Sequence, residues 1–290
     1  MMEDKEIQAM ISLLDDSDSE IINTVTASII NRGANVIPQL EKAWELAVSG
    51  VIQERLENLI QQIQFSAVKE GLKRWILTGS ENILEGAYYV AKFNYPDLNF
   101  NILNNYIEKV KMDVWLEINN NLTALEKVKI LNYILFDIHK FGRNKLDFYA
   151  PQNSFINQVI ETRKGSPISL SIIYLSIAWK LGLPVYGVNL PKNFILAYKD
   201  EYRQYDSADE SEDILFYINP YNKGAVLGRR EIDYFITQQQ LEPQEMYYIP
   251  CSNRDIIIRL INNLIISYEK KGNAKKVEQL KELLHISQVH

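Results

Sequence analysis

The chain has 290 residues, 47% of them hydrophobic, with a net charge of −6 and a pI near 5.3. That length suggests two or three folded units with ample core, and an acidic balance without a basic stripe argues against nucleic acid as a partner. No apolar run approaches the ~20 residues of a membrane span, so no membrane association is expected.

The opening residues, MMEDKEIQAM, are acidic and polar, so no signal peptide is expected. One cysteine, Cys251, rules out a disulfide framework within the chain and a multi-thiolate zinc site, and a reducing cytoplasm is the simplest expected location. The three histidines, His139, His285 and His290, are scattered and show no metal-ligand spacing. Neither a Gly-x-x-x-x-Gly-Lys loop nor a Gly-x-Gly-x-x-Gly fingerprint occurs. No metal and no cofactor are expected.

In chain order, residues up to about 122 read as helices. Ile7, Met10, Ile11 and Leu14 fall at helical spacing, and the run Asp15 to Ser19 then breaks and recaps the chain. Ile21, Ile22, Val25, Ile29 and Ile30 line a second helix that Gly33 closes, and Pro38 sits early in a third. Further helices are expected at about 52–66, 68–78, 81–93 and 99–118. Antiparallel pairs with short connections suggest a HEAT-like region over 1–122, without a clean repeat period.

An amphipathic helix follows over 124–141, with His139 at its C-terminal end, where a cation suits the helix dipole. Residues 142–165, rich in Gly, Pro, Asn and Ser, read as a long packed connection. The helix expected over about 167–181 is apolar nearly all round and should be central; Gly182-Leu183-Pro184 stops it. Strands are expected at Val185 to Val188, Phe194 to Tyr198 and Ile214 to Asn219, with the acidic stretch Asp206 to Asp213 as a solvated loop. After Pro250, helices at about 253–270 and 273–286 form a hairpin around Gly272. The fold class is therefore α+β and mostly helical, in three parts: 1–122, 123–250 and 251–290.

The segments Asn153-Ser154-Phe155-Ile156-Asn157 and Arg163-Lys164-Gly165-Ser166-Pro167-Ile168-Ser169-Leu170 carry a recognisable pattern. Together with Gly182-Leu183-Pro184 and Ile218-Asn219-Pro220-Tyr221-Asn222, it resembles the transglutaminase-like core of the SirB-type family over about residues 125–286. The resemblance implies a papain-like core, with its central helix against a small antiparallel sheet, and tetratricopeptide-like helices at the C-terminus. In catalytic relatives a cysteine opens the central helix, where the dipole favours a thiolate. A histidine on the next strand takes the proton, and an aspartate on the strand after orients it. Carried onto this chain, the cysteine position falls within Ser166 to Ile168, best at Pro167, and the other two at Asn193 and Asn219. Proline offers no nucleophile, and asparagine no base, so the resemblance implies a degenerate triad without thiol catalysis.

Three residues at or beside those positions are ligand-binding candidates: Ser166, Asn193 and Asn219. Ser166 is better explained as a helix N-cap preceding Pro167, and Asn219 reads equally as a turn residue before Pro220. Ser166 or Ser169 as a nucleophile lacks a partner base. Cys251, just ahead of a helix start that would lower its pKa, also has no recognisable base and reads as incidental. The function this supports is a non-catalytic binding or scaffold module for a protein or peptide partner, since stacked helical hairpins present concave surfaces. The alternative is a hydrolase or acyltransferase using unfamiliar groups in the same cleft, with Tyr174, Tyr186, Asp206 or Glu161 taking part. A third reading is a structural part of a larger assembly.

Overall fold

A computed structural model describes residues 2–200 and 213–289, and most of the acidic stretch Asp206 to Asp213 lies outside the described residues. Four helices lead the chain: α1 (Met2–Leu13), α2 (Ser19–Asn31), α3 (Ile37–Leu46) and α4 (Gly50–Leu77). Two compact units are present, one ending at Gly71 and one beginning at Leu72. In the first, Asp18 caps α2 by accepting the Glu20 amide at 2.8 Å. Its core gathers Ile7, Leu14, Val25, Ile29, Leu40, Leu56 and Ile63, the periodic positions of each helix. Helix α4 runs unbroken for 28 residues where two helices were expected. Ser66 and Ala67 do not terminate a helix, and the lone Gly71 costs only about 1 kcal/mol relative to alanine.

The second unit continues with α5 (Ile83–Lys92), α6 (Phe100–Trp115) and α7 (Ala124–Asn132). A capping box between Thr123 and Glu126 starts α7, and the chain then passes into a π-helical stretch, Tyr133–Ile138. His139 ends that stretch, and its ring bridges Tyr106 (3.0 Å) and Asp113 (2.8 Å). The connection over 142–165 is not featureless. It holds β1 (Gly142–Arg143), α8 (Ile156–Thr162) and β2 (Lys164–Gly165), with β1 and β2 paired in parallel.

Helix α9 (Pro167–Lys180) is the buried centre, with every residue from Ile168 to Ala178 enclosed. Strands β3 (Val185–Val188), β4 (Ile195–Lys199), β5 (Ile214–Asn219) and β6 (Ala225–Leu227) form an antiparallel sheet in that order. Residues Ile195 to Tyr198 of β4 are buried on both faces. Ile195 and Ala197 join a cluster with Ile232 and Ile236 of α10 (Arg229–Gln238). By strand alternation Leu196 and Tyr198 take the opposite face, the one nearer α9. The chain closes with α11 (Asn253–Lys270) and α12 (Ala274–Val289), a tightly packed helical hairpin. The fold is thus mostly helical α+β, with a central helix against a small antiparallel sheet and a C-terminal α-hairpin.

Two glycines let α11 approach this core. A Cβ on Gly86 of α5 would lie 2.8 Å from the Trp75 ring and 2.9 Å from Ile257 of α11. One on Gly187 of β3 would lie 2.8 Å from both Ile256 and Phe194. The Gly187 carbonyl also accepts the Cys251 amide at 2.8 Å, which ties the start of α11 to the sheet.

Candidate functional site

The N-terminus of α9 opens on a cleft of about 700 Å³. Three segments build its walls. The first turn of α9 contributes Ser166, Pro167 and Ile168; the loop between β3 and β4 contributes Asn189, Lys192, Asn193 and Phe194. The facing side of α11 contributes Arg259, Asn262 and Asn263, with Ile258 and Ile266 as its apolar part. Phe148 and Tyr149 complete the rim.

Local chemistry explains why the α9 end is shaped as it is. Ser166 caps the helix, its Oγ accepting the Ser169 amide at 3.3 Å, and Pro167 takes the first helical position, where a missing N–H costs nothing. Ser169 Oγ accepts the Ser166 amide at 2.9 Å and donates to the Asn153 carbonyl at 2.6 Å. Asn153 is itself an organiser. Its side-chain nitrogen donates to the carbonyls of Asp147 (2.7 Å) and Phe148 (3.1 Å), and its Oδ1 accepts from Asn144 at 3.0 Å. Those bonds curl residues 144–149 so that Phe148 and Tyr149 reach the cleft. The sequence marked Asn153 as part of a motif without revealing this role.

Of the expected site positions, Ser166, Pro167 and Asn193 meet at the cleft. Asn193 follows Lys192, which sits at φ +59°, a left-handed conformation that a non-glycine residue adopts at a cost of order 1–3 kcal/mol. The Asn193 Oδ1 accepts the Phe194 amide at 2.9 Å. Asn219 is not among the cleft-lining residues. Its Oδ1 accepts the amides of Tyr221 (3.1 Å) and Asn222 (3.3 Å) and so caps the turn after β5.

The side chains suggested for a different chemistry do not converge here. Tyr174 is fully buried in α9, stacks on Phe136 with ring centroids 6.4 Å apart, and has no hydrogen-bond partner for its hydroxyl among the described residues. Burial pushes its pKa far above the usual phenol range. Tyr186 and Glu161 lie outside the cleft lining, and Asp206 lies outside the described residues. The helix start does not activate Cys251. Burial, reinforced by the nearby Asp255 carboxylate, pushes its thiol up to about 12 rather than down. Desolvation outweighs the helix start, because the Ser252 hydroxyl and the Asp255 carboxylate already satisfy that end in a capping box.

Arg259 went unnoticed in the sequence because an arginine among isoleucines on an amphipathic helix reads as part of the solvated face. Its Nη1 donates to the Leu190 carbonyl at 2.9 Å and to Asn189 Oδ1, and the guanidinium lies 5.9 Å from the centre of the Phe194 ring. Burial draws its pKa below the usual guanidinium range. Among the described residues, no group of three or more His, Cys, Asp or Glu side chains is placed to hold a metal ion, and no helix is long and apolar enough to cross a membrane.

A central helix whose N-terminus faces a cleft, backed by an antiparallel sheet, is the layout of the transglutaminase-like core. The family model for the transglutaminase-like superfamily matches residues 102–262, more than half of the chain, and the chain belongs to that superfamily. It is similar to F-box only protein 21 of Mus musculus, 26% identical over 234 residues, which are 71% of this chain and 35% of that one. The Homo sapiens F-box only protein 21 is 31% identical over 159 residues, 54% of this chain and 24% of its own. A UPF0162 protein of Xylella fastidiosa (strain 9a5c) is 25% identical over 193 residues, 63% of either chain. The chain thus spans less than two thirds of the length of these relatives. No solved structure matches it.

Proposed function

We propose that this chain is a SirB-type transglutaminase-like protein with a degenerate triad, acting as a non-catalytic binding or scaffold module whose cleft receives a protein or peptide segment. The observation that carries the reading is the composition of the cleft at the start of α9. Ser166, Pro167 and Asn193 stand where the family's chemistry would be sought, and no thiol or imidazole is among the lining residues. The cleft is nonetheless roomy and lined with carboxamides, hydroxyls and aromatic rings, the mixture that satisfies a peptide backbone while burying its side chains. The similarity to segments of much longer F-box only proteins supports a module that is carried within larger architectures. The residues proposed to bind are Ser166 and Asn193, together with the α11 side chains that face them; Asn219 serves its turn instead.

One observation favours the alternative of a hydrolase or acyltransferase: several polar side chains do converge with Asn193. The two readings part in a single experiment. The full chain and an Asn262→Trp variant, which fills the cleft from α11, are titrated with a fluorescein-labelled library of seven-residue peptides. The same mixtures are then followed by mass spectrometry for cleaved or transferred products. Binding that disappears in the variant, with no product above the protein-free blank, is the expected result. Product formation that disappears in the variant would replace this reading with the catalytic one, and absence of both binding and turnover would overturn it.

A further inference from the structure

Building on the cleft as a peptide-binding site, we infer that it selects a peptide bearing a carboxylate, which seats on the guanidinium of Arg259. The first reason is how Arg259 is held. Among the described residues its contact partners are all uncharged: the Asn189 Oδ1, the Leu190 carbonyl and the Phe194 ring. Both hydrogen bonds leave from Nη1, so among the described residues the Nε and Nη2 donors of this five-donor group remain without an acceptor. A half-buried cation without a counter-ion is costly for a fold to keep, and a bidentate carboxylate is the ligand whose geometry its free edge matches.

The second reason is that the described residues of the cleft do not supply that carboxylate. Among them Asp255 is the one acidic residue lining it. The Asp255 Oδ2 already accepts the Ser252 amide (3.1 Å) and hydroxyl (2.6 Å), one helical turn before Arg259. The third reason is the sign of the surroundings. Lys192 stands at the rim, and the positive end of the α9 dipole opens on the same space. This concentration of positive potential occurs in a chain whose net charge is −6, so it does not follow from overall composition. Asn262 and Asn263, beside Arg259, carry carboxamides suited to peptide N–H and C=O groups, while Phe148 and Tyr149 offer rings for an apolar neighbour of the acidic residue. The ligand class is therefore a mixed apolar and acidic peptide, with the carboxylate either on a side chain or at a C-terminus.

The test uses the full chain and three matched fluorescein-labelled seven-residue peptides read by anisotropy. One carries an internal glutamate and an amidated end, one has glutamine there and an amidated end, and one has glutamine and a free C-terminal carboxylate. A charge-assisted pair predicts that one of the carboxylate-bearing peptides binds at least about tenfold more tightly than the neutral one. Which of them gains tells side chain from terminus. In Arg259→Gln that gap closes, the acidic peptides falling to the affinity the same variant shows for the neutral one, and Arg259→Lys recovers part of it, since charge survives but the fork does not. Should Arg259→Gln fail to fold, the unmutated chain still decides: the Arg259 Nε–H NMR resonance shifts on adding the preferred acidic peptide and not the neutral one. Equal binding of all three peptides overturns the carboxylate inference and leaves peptide binding standing, as does a gap that persists in Arg259→Gln. If none of the peptides binds to a folded protein, both readings fall.

Discussion

The two walls of the cleft face each other with opposite economies of polar groups. On the α9 side the polar atoms are spent on one another. Ser169, fully buried, bonds both the Ser166 amide and the Asn153 carbonyl, and Ser166 caps the helix that follows it. On the α11 side the Asn262 and Asn263 side chains make no hydrogen bond among the described residues, and Arg259 keeps spare donors. An active thiol core concentrates its chemistry at the first of these walls. Here that wall is largely architecture, and the recognition proposed above draws on Ser166 and Asn193 from it and on more side chains from α11. A cleft whose first wall is occupied in this way still has a second wall with polar groups to offer.

The largest way to break this contrast is to undermine what holds α11 in place. Its inner face is fixed mainly by apolar packing, and Leu260 there is fully enclosed. Leu260→Ala should lower stability by about 2–5 kcal/mol, read as the urea midpoint at unchanged slope. Peptide affinity should fall with it, because the recognising wall moves. If affinity is retained at full stability loss, the α11 wall is not where binding occurs. A smaller change sharpens the contrast from the other side. Ser169→Ala removes the Oγ bonds to the Ser166 amide and the Asn153 carbonyl, which stay bonded to each other at 3.0 Å, and should cost about 1–2 kcal/mol, yet leave peptide affinity unchanged in protein that is still folded. Weakened binding at that position would mean that the buried Ser169 bond, and not only Ser166 and Asn193 at the surface of that wall, bears on the ligand.

These positions also show what a single sequence reveals. The N-cap at Ser166 with Pro167 behind it, the enclosed helix after it, and strands β3 and β5 were all legible, because each is written in local spacing and turn chemistry. Strand β6 carried no comparable signal: three residues are too few to display alternation, and they are only half-buried. Helix α10 went unread although Ile232, Phe235 and Ile236 stand at helical spacing. The division of the chain at Gly71 falls inside an uninterrupted helix, where no breaker marks it. For the proposed site, the motif residues led to the N-terminal end of α9, where the cleft opens, but Arg259 gave no signal. Its meaning comes from the approach of α11 to β3 across Gly187, a contact that joins positions about seventy apart and follows from packing rather than from pattern.

The subtlest expected effect concerns Cys251, at the junction where α11 meets the sheet. In the fold its thiol titrates at about 12 instead of 9.0, because burial and then the Asp255 carboxylate disfavour the thiolate. At pH 8 the folded thiolate fraction is therefore about a thousandfold below that of the unfolded chain, and reaction with a disulfide reagent should be slower by a similar factor until urea is added. The sign for stability follows from the same shift. The folded state holds this proton more tightly, so the contribution is intact below about pH 9 and is lost as pH rises toward about 12. Rapid labelling of the native protein at pH 8 would show that the start of α11 opens readily. The second wall would then be a hinged surface rather than a fixed one, and Arg259 would have to be brought to its ligand instead of waiting for it.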